Sequence, residues 1–264
     1  MRWTRQQYVE LMTFGRVERP MFSELFGPLV GLADEWRDQG AGEDEINMVA
    51  FDWDYVPYCE CGGVCGPFPV SEPEVIEETD QHVLTRDYLG RTCKLCKGTA
   101  TIALPLDFPV KSPDDWPRVK PYFTYRDDRI DGAAVDRAGQ LQQQGAVVRA
   151  EIPGGWDIAR ELLGEVQACL AYYTQPELMR DVLETLTETS VRVLEQVTGK
   201  VVIDQLFVHE DMAGKSGPLV GPDHVRQFLA PYYRACWEVV SGRGTRLFNL
   251  DSDGNMMPLI DAFL

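Results

Sequence analysis

The chain has 264 residues, 44% of them hydrophobic and 25% charged, the balance of a globular protein with room for one large domain or two small ones. A formal net charge of −17 argues against a phosphate-binding surface and sets aside nucleic acid and anionic membranes as partners, while leaving room for a local basic pocket that takes a carboxylate. No run of roughly 18 apolar residues occurs, and Met1 to Gln7 is polar and arginine-bearing where a signal peptide would be apolar, so the expected compartment is the cytoplasm.

A helix is expected from Thr4 to about Phe14, followed by a Pro- and Gly-punctuated stretch to Ile46. The short apolar run Asn47–Phe51, ending in Asp52-Trp-Asp54, reads as a buried strand that leads into a polar loop. Ser71-x-x-Glu74 has the form of a capping box that opens a short helix. Gln81 to Leu104, rich in Val, Thr, Tyr and Leu and turning at Leu89-Gly90, predicts a β-hairpin. A further short helix begins at Ser112-Pro113 and is disturbed by Pro117. Residues 71–120 therefore read as an antiparallel excursion or cap within a single domain spanning 1–264.

From residue 132 the pattern is regular. A helix from Ala133 to Gln144 ends at Gly145, and Ala146–Ile152 follows as a strand. Helices are expected over Trp156–Leu163 and Glu165–Tyr173, then a long one capped by Thr174-x-x-Glu177 and ending at Gly199. Val201–Val208 is the next strand, Pro222–Val240 a helix, Thr245–Leu250 a strand, and Asn255–Leu264 a last apolar helix. Strands separated by helices at this spacing imply parallel βαβ units, hence an α/β fold. About four such units are visible, whereas a closed barrel takes about eight; the alternative on pattern alone is an open doubly wound sheet.

The segment His209–Asp223, followed by Phe228-Leu-Ala-Pro-Tyr-Tyr233, resembles the uroporphyrinogen decarboxylase-like superfamily, in which an acidic pair ends a barrel strand before a Gly-Pro loop and a helix with this Pro-Tyr signature. Three further segments match in order: Ile76–Asp80 with the hairpin and Asp107–Lys111, then Arg149–Trp156, then Asp251–Asn255. The resemblance implies a (β/α)8 TIM barrel with an early β-hairpin insertion, incomplete at the C-terminus. It also implies an enzyme of tetrapyrrole or corrinoid-linked metabolism acting on a small molecule. The leading expectation is a methyltransferase that works with a corrinoid-carrying partner protein and holds no cofactor tightly itself. A decarboxylase of a porphyrinogen-like substrate and a non-catalytic tetrapyrrole-binding barrel are the alternatives. Val17–Glu24 stands where the decarboxylases carry a Met-Arg-Gln-Ala-Gly-Arg segment, and Asp251-Ser-Asp253 stands where the methyltransferases carry a His-x-Cys zinc pair.

Barrel active sites lie at the C-terminal ends of the strands. The expected catalytic group is His209, Glu210, Asp211, Asp251 and Asp253, with Asp54, Tyr58, Arg149, Glu151, Trp156, Met212 and Lys215 binding substrate. Crowded carboxylates must be protonated, paired with Arg149 or Lys215, or bound to a cation. Acids at strand ends also cap helices, and Trp156, Met212 and Tyr58 can equally be core residues instead of an apolar wall for a planar ligand.

The seven cysteines, an odd count without a signal peptide, point to reduced thiols. Cys59-x-Cys61-x3-Cys65 sits in a Gly-rich loop, and Cys93-x2-Cys96 would point to opposite faces of a regular strand. Zinc at these thiols is left open.

Overall fold

The computed structural model describes residues 2–24 and 26–263; the ends of the polar Met1–Gln7 segment and of the 255–264 helix, Met1 and Leu264, lie outside them. In chain order the elements are α1 (Arg5–Met12), α2 (Leu32–Asp38), α3 (Glu43–Ile46), β1 (Tyr58–Glu60), β2 (Glu74–Glu78), β3 (His82–Arg86), β4 (Thr92–Cys96), β5 (Leu104–Pro105), α4 (Trp116–Val119), α5 (Gly132–Gln143), β6 (Val147–Ile152), α6 (Gly155–Leu163), α7 (Glu165–Thr174), α8 (Pro176–Thr198), β7 (Gln205–His209), β8 (Ala213–Gly214), β9 (Gly217–Pro218), α9 (Pro222–His224), α10 (Ala230–Ser241), β10 (Leu247–Asp251) and α11 (Ile260–Phe263). Where the sequence suggested one domain with an excursion at 71–120, the chain partitions into two compact units. One is 1–57 with 71–108, the other 58–70 with 109–264.

In the first unit the antiparallel sheet β2-β3-β4-β5 contains the expected hairpin, His82 to Cys96. Ser71-x-x-Glu74 does not open a helix: Glu74–Glu78 is a strand, because the β-branched pair Val75-Ile76 suits a pleated edge and β3 supplies the backbone partners. The expected strand at Asn47–Phe51 is also corrected. Val49–Phe51 is a 3-10 turn flanked by Met48 and Asp52 in left-handed conformation. Its aromatics join a local cluster, Phe51 on Trp53 at 5.4 Å and Phe22 on Trp53 at 4.3 Å, so the apolar run packs sideways without entering a sheet.

The second unit is built on the parallel sheet β1-β6-β7-β10. Its spatial order follows chain order with no reversal. Among the described residues these four strands do not close into a barrel. Along β6 and β7, Val148, Ala150, Ile152, Leu206 and Val208 are buried, while Arg149, Glu151, Phe207 and His209 alternate with them on the opposite, more open face. On β10, Phe248 turns to the helix side and stacks on Trp237 of α10 at 5.9 Å. The long helix α8 starts one residue later than its sequence cap suggests: Gln175 is the capping position, and the Thr174 hydroxyl donates instead to the Leu170 carbonyl. No helix among the described residues is long and apolar enough to cross a membrane.

Arg129 organises the loop after β1. It is 1% exposed, and its guanidinium donates to the carbonyls of Val64 (3.1 Å), Gly66 (2.6 Å), Tyr122 (2.6 Å) and Thr124 (3.0 Å). Cys61 and Cys65 are enclosed by this arrangement as small core side chains, and burial pushes both thiols up, that of Cys61 to about 11. Replacing Arg129 by Met leaves those carbonyls without donors, and we expect a loss of roughly 2–4 kcal/mol in stability by denaturant titration. A loss under about 0.5 kcal/mol would show that this guanidinium does not hold the loop.

Candidate functional site

Parallel strands finish on one side, so the ends of β6, β7 and β10 form a common rim. Register pairs Glu151 with Phe207, Ile152 with Val208, and His209 with Asp251. His209 and Asp251 are therefore side by side on adjacent strands, about 5 Å apart at the backbone, and both project from the open face.

Glu210 goes the other way. Following His209 directly, it turns to the helix side and is wholly buried. There it meets the N-terminus of α6: Oε1 accepts from the Trp156 amide (2.8 Å) and Oε2 from the Asp157 amide (3.1 Å). The Tyr233 hydroxyl donates to Oε1 at 2.5 Å and itself accepts the Gly155 amide at 2.9 Å. Only glycine fits at 154, since a Cβ there would stand 2.1 Å from Glu210 Oε2 and 2.3 Å from the His209 carbonyl oxygen. The Gly-Gly pair of Pro153-Gly-Gly-Trp156 thus lets the helix end settle onto the carboxylate. Burial is the largest influence on Glu210 and pushes it up to about 7, against the pull of its three donors.

The docked turn carries Asp157, whose Oδ2 lies 2.6 Å from His209 Nδ1. With Asp157 ionised, Nδ1 carries the proton and Nε2 is the outward atom, 3.9 Å from Asp211 Oδ2. Arg160, one helical turn on, stands 2.7 Å from Asp157 Oδ1 and 3.7 Å from Asp211 Oδ2. Asp211 also accepts the Asp253 amide at 3.3 Å. The His209 side chain is 51% exposed. Partial burial works against its charge, but the Asp157 hydrogen bond and the charges of Asp157, Asp211 and Asp251 win, raising its pKa above the usual 6.5. A buried aspartate that orients a histidine whose other nitrogen faces the opening is the geometry of a general acid–base pair.

The five residues expected to be catalytic thus divide. His209, Asp211, Asp251 and Asp253 stand at the rim, whereas Glu210 is a buried cap with no access to a ligand. Trp156 and Met212 are also wholly buried and do not form a wall. Trp156 donates its indole N–H to the Asp211 carbonyl at 2.9 Å, and Met212 donates its amide to the Glu210 carbonyl. Tyr58 opens β1 at the level of Val147, about 13 Å below Glu151 along the strand. It is packed on Arg149, which is sandwiched between the Tyr58 and Phe207 rings and paired with Glu60 at 2.7 Å. Glu151 is exposed at the rim, and Lys215 is exposed at the turn of the β8–β9 hairpin.

Asp54 follows no sheet strand; it lies in the first unit, locked by Arg19 at 2.5 and 2.8 Å, which together with the Phe22 amide holds its carboxyl well below the usual range. Cys93 is buried and Cys96 exposed on β4, on opposite faces as the spacing requires. Among the described residues no group of three His, Cys, Asp or Glu side chains is placed to hold a metal ion.

Asp157, Arg160 and Tyr233 were not singled out from sequence. Asp157 follows directly on the Arg149–Trp156 segment, and an Asp in the first turn of a helix after a barrel strand was the available signal. Tyr233 belonged to the Pro-Tyr-Tyr signature without an assigned role.

No protein-family model and no curated protein matches the chain. Among solved structures, a methyltransferase from Methanosarcina mazei shares the fold at 15% sequence identity and a TM-score of 0.50, over 98% of this chain and 73% of that one.

A carboxyl whose folded pKa is raised from 4.5 to about 7 binds its proton more tightly in the folded state. Its contribution is fully present below pH ~4.5 and is lost as pH rises through ~7, on the order of 3 kcal/mol. His209, also raised, loses its smaller contribution in the same direction. The urea midpoint is therefore expected to fall between pH 5 and pH 8, and Glu210→Gln to flatten most of that slope. An equal slope in parent and variant would show that Glu210 is ionised throughout.

Proposed function

We propose that the chain is a barrel-type enzyme of the uroporphyrinogen decarboxylase-like kind that moves a methyl group to or from a small molecule at the rim of its parallel sheet, with a corrinoid-carrying protein as partner. The observation that carries this reading is the Asp157–His209 pair, 2.6 Å apart, with Nε2 directed outward beside Asp211. The fold shared with a methyltransferase supports the direction of the assignment. In this reading the acceptor heteroatom of the substrate binds near His209 Nε2. As its lone pair bonds to the methyl carbon, the bond between that carbon and the donor breaks with its electron pair left on the donor; the acceptor's proton passes to Nε2, and Asp157 stabilises the imidazolium that forms. Asp251, Asp253 and Glu151 are exposed near the same strand ends and favour a neutral or cationic substrate over a polyanion.

Decarboxylation of a multiply carboxylated substrate is less well supported. Arg149 and Arg160 are both already paired with carboxylates, whereas such a substrate needs cations to hold its acids.

The test is methyl transfer from methylcobalamin or a methylated corrinoid protein to candidate thiol, amine and phenol acceptors, followed by the corrinoid spectrum. His209→Asn is expected to lower kcat about 10²- to 10⁴-fold with the fold intact. The parent's kcat/KM should rise with pH through an inflection above 6.5, which Asp157→Asn moves down. Carbon dioxide release from a porphyrinogen without any corrinoid response, or full methyl-transfer activity in His209→Asn, would refute the assignment.

A further inference from the structure

The group that orients His209 is itself held by a second layer. Around the turn 153–157, Glu210 accepts the amides of Trp156 and Asp157, the Tyr233 hydroxyl accepts the amide of Gly155, and the Tyr232 hydroxyl donates to the Pro153 carbonyl at 2.8 Å. Tyr232 and Tyr233 are adjacent, both almost fully buried, and lie near the start of α10, directly after a π-helical segment, Val225–Leu229, of a kind frequent at functional sites. The turn they grip also presses against His209: a Cβ at Gly154 would stand 2.3 Å from the His209 carbonyl oxygen. Backbone and side chain of the same histidine are thus both set by where this one turn lies.

We infer that Glu210, Tyr233 and Tyr232 are positioning residues that fix the first turn of α6 so that Asp157 is held against His209. The inference rests on the reading of Asp157–His209 as the acid–base pair, but the geometry it concerns exists whether or not that pair acts on a substrate. A role confined to stability would require only that the three side chains be buried and satisfied. A positioning role requires in addition that their loss loosen the contact between Asp157 Oδ2 and His209 Nδ1. The charged groups acting on His209 are Asp157 from α6, Asp211 beyond β7 and Asp251 from β10, with Arg160 of α6 paired to Asp157 and Asp211. Tyr233→Phe alters none of these charges but takes a donor from Glu210, so its shift is read beside that of Tyr232→Phe, which leaves the bonds to Glu210 in place.

The readout is the titration of the His209 ring followed by NMR in the full chain, with its resonance assigned through His209→Asn and distinguished from His82 and His224. In Tyr233→Phe the His209 midpoint is expected to move down toward the ordinary histidine value, in the direction of Asp157→Asn. Val197→Ala, a cavity in the wholly buried part of α8, is expected to lower the unfolding midpoint and leave the His209 titration in place. A folded Tyr233→Phe with an unchanged titration, or an equal shift in Val197→Ala, overturns the inference. If Tyr233→Phe does not fold, Tyr232→Phe, which loses the bond to the Pro153 carbonyl and a 3.5 Å contact with the Ser190 hydroxyl, is titrated in its place, and an unchanged midpoint there has the same force. Because the titration needs no turnover, a shifted midpoint in a protein with no methyl-transfer activity would uphold the positioning role and discard only the proposed reaction.

Discussion

A single carboxylate, buried where β7 ends, sets the geometry of the rim. Glu210 is surrounded by donors from a helix N-terminus and a tyrosine, and it occupies space that no side chain at position 154 allows another group to take. Removing a charge from water is costly, and aligned amides and a hydroxyl offset only part of that cost. The same bonds attach α6 to the end of its neighbouring strand. Asp157, Arg160 and, through the Trp156 indole, the Asp211 loop take their positions from that attachment.

Strand alternation then separates two jobs that sequence alone places together. His209 and Glu210 are neighbours, yet one faces the opening and the other the helices. One carboxyl is raised by desolvation and serves as an internal fastener; the neighbouring histidine is raised by acidic groups and stays accessible. Arg149 shows a related economy. Flanked by two rings and engaged by Glu60, it neutralises one of many acids on an open sheet face.

The loop that carries Cys61 and Cys65 shows how a suggestive motif is absorbed by packing. Its thiols are enclosed beside a buried arginine that satisfies main-chain carbonyls, and burial raises the pKa of both.

Local pattern was enough for the parallel α/β class, for the hairpin between His82 and Cys96, and for the run of helices and strands from residue 132 onward. Periodicity and glycine stops, such as Gly145 at φ 95°, act over a few residues and are written in the sequence itself. That parallel strands end together was legible too, but not that Glu210 turns away from His209 and Asp251 into the helices. The identity of the partners was not legible. Asp157 pairs with a histidine 52 residues away, and Glu210 with a tyrosine 23 residues on and a helix 54 residues back. The short apolar run at Asn47–Phe51 and the false capping box at Ser71 failed for the same reason. Where a segment is brief, its conformation is chosen by the surface it meets, and that surface exists only once the chain has folded.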